Sequence, residues 1–171
     1  MTRRLFLLGL SLVLLGACDK PSAGVSTNAT SGTDPSNATV IRVIDGDTIE
    51  ADFAGTRERI RLIGVDTPET KKPNTPIQCF GPEASEFTKG VLAQGTRILV
   101  RRDVEARDDY GRLLGYVYRS NDDMFVNLEL VEQGFAKPLT IKPNDTFAVD
   151  FVNAARRAQA AHLGLWAACS G

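Results

Sequence analysis

Three short stretches of the chain concentrate acids and arginines: Asp45-Gly46-Asp47-Thr48, the run from Arg61 to Glu69 (Arg-Leu-Ile-Gly-Val-Asp-Thr-Pro-Glu), and Asp109-Tyr110-Gly111-Arg112. Carboxylate and carbonyl oxygens are the hard ligands that calcium takes, guanidinium forks grip phosphate with two parallel hydrogen bonds, and a further carboxylate can orient or deprotonate a water. Together these groups suit calcium-assisted cleavage of a phosphodiester. Taken singly, each says less. Asp45-Gly46-Asp47 alone reads as a turn with an Asp side chain on backbone amides. Arg57, Arg59 and Arg61 alternate with Glu58, Ile60 and Leu62, so on a strand they share one face, ordinarily the solvated one. Arg61, however, stands only five residues before Asp66, at the rim of the acids. Glu69 after Pro68 reads as a first-turn helix acid or a solvated loop residue. Tyr110 reads as a barrel-edge aromatic, or as a group that hydrogen-bonds phosphate or stacks on a base.

The elements that must position these residues are legible in outline. Segments 40–44, 48–53, 57–63, 96–101 and 113–118 are rich in branched and aromatic residues and bounded by Gly and Asp turns, the pattern of short strands. Gly81-Pro82-Glu83 opens a helix running toward Gly90 or Gly95. Asn127 is placed to cap a second helix ending near Gly134. Asn144 or Asp145 caps a third, in which Phe147, Phe151, Ala154, Ala155 and Ala158 recur at helical spacing before Gly164. Strands come first and helices are interleaved later without regular alternation, which predicts an α+β fold and excludes a doubly wound sheet.

The order and spacing of these motifs resemble the staphylococcal nuclease (thermonuclease) family over most of 40–166, with further matches at Gly81-Pro82-Glu83-Ala84, Lys142-Pro143-Asn144 and Leu165-Trp166. The resemblance implies a five-stranded OB-fold β-barrel with three helices and calcium-dependent hydrolysis of DNA and RNA. It implies Asp47, Asp66 and the backbone carbonyl of Thr67 as calcium ligands, with Asp45 outside the direct shell. Arg61 and Arg112 would grip the phosphate, Glu69 would activate or position the water, and Tyr110 would contact substrate. The chain departs from the family in two places: Asp109 stands where the family has a lysine, and Lys137-Pro138-Leu139-Thr140-Ile141 covers the loop where it has a further tyrosine. The other function considered is a non-catalytic OB module that binds nucleic acid or a peptide. Loss of one of the five charged site residues would mark it, and none is lost.

Composition sets the surroundings. Arg3 and Arg4, the apolar run 5–15 and Leu15-Gly16-Ala17-Cys18 form an export signal too short to span a bilayer as a helix. Its end resembles the bacterial lipobox. The expectation is a signal over 1–18, lipidation at Cys18, a flexible Ser/Thr/Asn/Gly/Pro tether over 19–39 and one catalytic domain over 40–171, working outside the cytosol on a membrane as a monomer. Cleavage near Ala17 and secretion without lipid is the other reading. Removal of Cys18 from the three cysteines leaves Cys79 and Cys169, which in an oxidising compartment suggest a disulfide, or else two free thiols. A single histidine, His162, leaves too few soft ligands for zinc. The whole chain carries 20 basic and 21 acidic residues; without Arg3 and Arg4 the balance is 18 against 21, a formal charge of −3. That favours a short, local phosphate grip over an extended basic track.

Overall fold

The computed structural model describes residues 36–71 and 75–169; the export signal with Cys18 and most of the tether fall outside them. Alternating apolar residues drive a meander of β1 (Ala38–Asp45), β2 (Thr48–Phe53) and β3 (Thr56–Leu62). A short β4 (Gly64–Asp66) and helix α1 (Gly81–Val91) follow, then β5 (Arg97–Arg101) and β6 (Leu113–Arg119). After these come β7 (Met124–Phe125), α2 (Val126–Glu132), β8 (Lys137–Leu139), α3 (Ala148–Ala160) and the single turn α4 (Leu165–Ala168).

Five strands close on themselves. β1 pairs with β2 and β5, β2 with β3, and β5 with β6, all antiparallel; β3 then meets β6 in parallel, with Arg61 opposite Leu114. Closure leaves no barrel edge unpaired. Ile49, Ile60, Leu62, Ile98 and Val117 are fully buried, and Leu130 of α2 and Phe151 of α3 join the same core. Burying a side chain the size of Phe151 contributes about 1.5–3 kcal/mol. The expected five-stranded barrel with three main helices is therefore the observed architecture, with β4, β7, β8 and α4 added to it.

The added ribbon bears directly on the site. β4 pairs antiparallel with β8, setting Asp66 opposite Lys137. Gly64 makes the departure from the barrel possible: its φ is +82°, and a Cβ there would lie 2.1 Å from the Phe151 ring. No other residue meets both demands.

Four local expectations are corrected. β1 begins at Ala38 and Asn37 already belongs to the barrel, exchanging two 2.9 Å hydrogen bonds with the Val100 backbone, so the tether ends earlier than 39. Asn127 does not cap α2. It lies inside the helix, buried, where Nδ2 donates to the Ile63 and Gly115 carbonyls and Oδ1 accepts from the Val117 amide. Neither Asn144 nor Asp145 caps α3 with its side chain: Phe147 is the cap residue, and Asn144 bonds both backbone groups of Glu105. α3 also stops before Gly164. His162, at φ +50°, takes the left-handed place, and the Leu163 amide returns to the Ala158 carbonyl, a Schellman closure in which glycine is usual but not obligatory. Cys79 and Cys169 are joined by a disulfide with Cα atoms 5.9 Å apart, tying the segment before α1 to the end of α4.

Candidate active site

The Asp45-Gly46-Asp47 turn is built against a second segment rather than left at the surface. Thr88 of α1 donates to the Gly46 carbonyl at 2.7 Å, the Leu62 amide donates to the Asp47 carbonyl, and the Thr67 amide donates to Asp47 Oδ2 at 3.1 Å. The turn packs so closely on Thr67 that a Cβ at position 46 would lie 2.7 Å from Thr67 Oγ1. An ordinary surface turn needs none of these contacts. Asp47 is consequently only 8% exposed, and Asp66 beside it is only half open to solvent.

Arg61 holds the two aspartates together. Its Nη2 lies 3.1 Å from Asp47 Oδ2 and 3.5 Å from Asp66 Oδ1, and its Nη1 donates to the Leu62 and Val65 carbonyls. The rest of its row has another fate: Arg57 and Arg59 are exposed and sit across β2 from Asp52 and Glu50, a solvated face as the alternation allowed. Burial, and then the Asp47 charge, raise the Asp66 carboxyl above its ordinary value, with Glu69 adding to this and Arg61 opposing it. Burial likewise raises Asp45, which accepts from the Thr70 hydroxyl at 2.6 Å and is raised further by its contact with Glu69. Glu69 therefore belongs to the acid cluster, and its Oε1 accepts from the amides of Thr70 and Lys71.

Arg112 approaches from the other side. A cleft of about 320 Å³ is lined by Arg61, Arg112 and Tyr110, together with Leu139 and Ile141 from the segment after α2. Tyr110 is 86% exposed, with the Arg112 guanidinium 5.4 Å from its ring centre. Arg112 is oriented by Asp108, whose Oδ2 accepts from Nε at 2.7 Å and whose Oδ1 accepts the Arg112 amide. Asp108 and Lys137 are site residues that the sequence reading missed. Asp108 lies four residues from its partner but in a turn rather than a helix, and nothing local marks Lys137 as the cross-strand neighbour of Asp66.

Among the described residues, no three carboxylate, imidazole or thiol groups are gathered closely enough to hold a metal by themselves. The donors nevertheless suit calcium, a hard cation that completes its shell with carbonyls and water. Two aspartates converge with only one arginine between them, and the adjacent Thr67 Oγ1 is buried with no hydrogen-bond partner among the described residues. A cation here would relieve both the mutual repulsion of the acids and the orphaned oxygen.

The fold and rim define a class: an OB barrel with an acidic cluster flanked by two arginines at the mouth of a cleft. Comparison with known proteins narrows it. The profile of the family described as "Staphylococcal nuclease homologue" matches residues 59–168. The chain is 48% identical over 127 residues to the thermonuclease of Staphylococcus intermedius, covering 74% of each protein, and 43% identical over 127 residues to that of Staphylococcus hyicus, covering 74% of this chain and 73% of the relative. The endonuclease YncB of Bacillus subtilis is 37% identical over 131 residues, 76% of this chain and 61% of the relative. The chain belongs to the staphylococcal nuclease family.

Proposed function

We propose that the protein is a calcium-dependent nuclease that hydrolyses phosphodiester bonds of DNA and RNA by in-line attack of water, with little sequence selectivity. The observation that carries this reading is Arg61, which bridges Asp47 and Asp66 and lines the same cleft as Arg112 and Tyr110. Asp47, Asp66 and the Thr67 carbonyl are the residues to hold calcium. When bound, the ion supplies positive charge against the phosphoryl oxygens and helps to generate the nucleophile.

The chain's own groups do the rest. Arg61 and Arg112 grip the non-bridging oxygens and offset the charge that grows on them. Arg112 is already aimed by Asp108 behind it, whereas Arg61 must trade its contacts with Asp47 and Asp66 for the phosphate, an exchange that calcium held by those two acids would favour. Glu69 accepts a hydrogen bond from the attacking water and directs its lone pair at phosphorus. Tyr110 offers a face for a sugar or base. Because the grip is on phosphate, base identity matters little. The same reading sends the protein out of the cytosol on a lipid attached to Cys18, as a monomer.

Purified protein incubated with plasmid and with single-stranded DNA should cut both in calcium, stop in chelator, and work poorly in the smaller, stiffly octahedral magnesium. Equal turnover in calcium and in excess chelator overturns the reading. Partition of wild type into detergent, lost in Cys18→Ser, tests the anchor.

A further inference from the structure

Glu69 opens a loop whose far end is fastened back onto it. The Glu69 amide donates to Gln78 Oε1 at 2.9 Å, and the Gln78 amide donates to the Glu69 carbonyl at 3.0 Å. A residue nine positions along the chain thus closes a two-bond clasp on the backbone of Glu69. The next residue, Cys79, is crosslinked to Cys169 at a separation of 90 residues. Phe80 follows at φ +66°, in the left-handed region that a bulky residue seldom takes, with its ring 5.5 Å from that of Phe135. Gly81 then starts α1 so near the same backbone that a Cβ would lie 2.8 Å from Thr70 and 3.2 Å from the Glu69 carbonyl. Four successive residues, the first two exposed and the last buried, are each committed to the Glu69 backbone or to the domain behind it, and one of them is strained.

We infer that Gln78 is a positioning residue for Glu69, and that the Cys79–Cys169 crosslink holds Gln78 in place to act as one. The inference rests on the role proposed above for Glu69. The Glu69 carboxylate is aimed by the amides of residues 70 and 71, so its direction follows the course of that backbone, which the clasp fixes. Displacing a catalytic group by about 1 Å costs on the order of a hundredfold in rate, and losing one of the two clasp bonds forfeits part of that. The phosphate grip stands on β3 and on the turn before β6, neither of which carries a clasp bond, so turnover falls and substrate affinity does not.

The test is steady-state hydrolysis of a defined single-stranded oligodeoxynucleotide in calcium by the full chain. Gln78→Met keeps the length of the side chain and removes its acceptor; kcat should fall about tenfold with KM within about twofold. Gln78→Glu, which restores an acceptor oxygen, should recover most of the loss. The paired Cys79→Ser/Cys169→Ser variant, checked by melting to be folded at the assay temperature, should lower kcat in the same sense. In a Glu69→Ala background Gln78→Met should cost nothing more, because nothing remains to be positioned. Wild-type kcat in Gln78→Met, or an undiminished loss in the Glu69→Ala background, overturns the inference and leaves the role of Glu69 intact. Wild-type turnover in Glu69→Ala overturns that role and the inference with it.

Discussion

Arg112 and Asp66 put the proposed chemistry to its most direct tests. Arg112 makes its main protein contact with Asp108 and is otherwise turned toward the cleft, so its removal leaves the barrel intact. Arg112→Ala is expected to lower kcat about a hundredfold, on the order of 3 kcal/mol, with a much smaller change in KM. Arg61→Lys should be nearly as damaging, since an ammonium cannot reproduce a fork that meets two aspartates and two carbonyls at once. Wild-type kinetics in either variant would place the phosphate grip elsewhere. Asp66 tests the metal without any assay of turnover. Its carboxyl is raised by burial and by Asp47, so the negative charge is held at some cost to the free protein. Asp66→Asn should melt at or slightly above the wild-type temperature without metal. Calcium at a hundred times its dissociation constant should stabilise wild type by about 2.7 kcal/mol and the variant far less. An equal calcium shift in both proteins would remove Asp66 from the ligand set.

At the scale of elements, the barrel seam and the helices are joined by a few buried polar contacts whose loss is costly. Asn127 satisfies two carbonyls and one amide across α2, β6 and the end of β3. Asn127→Ala strands the Ile63 carbonyl and the Val117 amide, while the Gly115 carbonyl keeps the Ile63 amide, and a loss of about 3–5 kcal/mol is expected by chemical denaturation. Less than 1 kcal/mol would mean that solvent reaches the seam. Asp103 joins the end of β5 to β6 and to the entry of α3, accepting from the Tyr116 hydroxyl at 2.8 Å and from the amide and hydroxyl of Thr146. Burial alone would raise this carboxyl, but the hydrogen bonds outweigh it and hold it below its ordinary value of 3.8. A lowered carboxyl contributes stability that is complete above the ordinary value and fades as pH falls through the folded one. Asp103→Asn should therefore be less stable than wild type at pH 7, with the gap closing in strong acid. A gap that persists undiminished into acid would mean that the carboxylate's charge is not what stabilises this junction. Helix ends are imperfectly legible in the sequence because tertiary partners compete with local caps. Asn127 and Asn144 have side chains that favour caps, yet each finds a better partner far away in sequence, and His162 closes α3 where glycine was expected.

For the molecule as a whole, charge decides how nucleic acid is held. With 20 basic against 21 acidic residues in the chain, and the exposed Arg57 and Arg59 of β3 faced by acids on β2, the charge balance favours a short, local phosphate grip over a long cationic track. Binding through two arginines releases few counterions, and the logarithm of affinity for duplex DNA should fall with the logarithm of salt at a slope of about −2. A slope of −5 or steeper in binding titrations would reveal a wider basic footprint. Much of this protein was fixed by its sequence. Alternating strands, the Pro82 helix start and the apolar spacing of α3 define the elements, and five short strands fit a small barrel, although the strand pattern alone also suits a sandwich. Residue chemistry marked the acids and arginines as candidates, because calcium and phosphate admit few ligand types, but their roles came from the resemblance to the nuclease family. What tertiary structure alone decided is which of them meet. Local sequence does not say that Arg61 spans Asp47 and Asp66, that Asp108 aims Arg112, that Lys137 faces Asp66, or that Gln78 returns to clasp Glu69. Each depends on how the chain departs from the barrel at Gly64 and on how a distant segment packs against it, and such non-local contacts leave no periodicity to read.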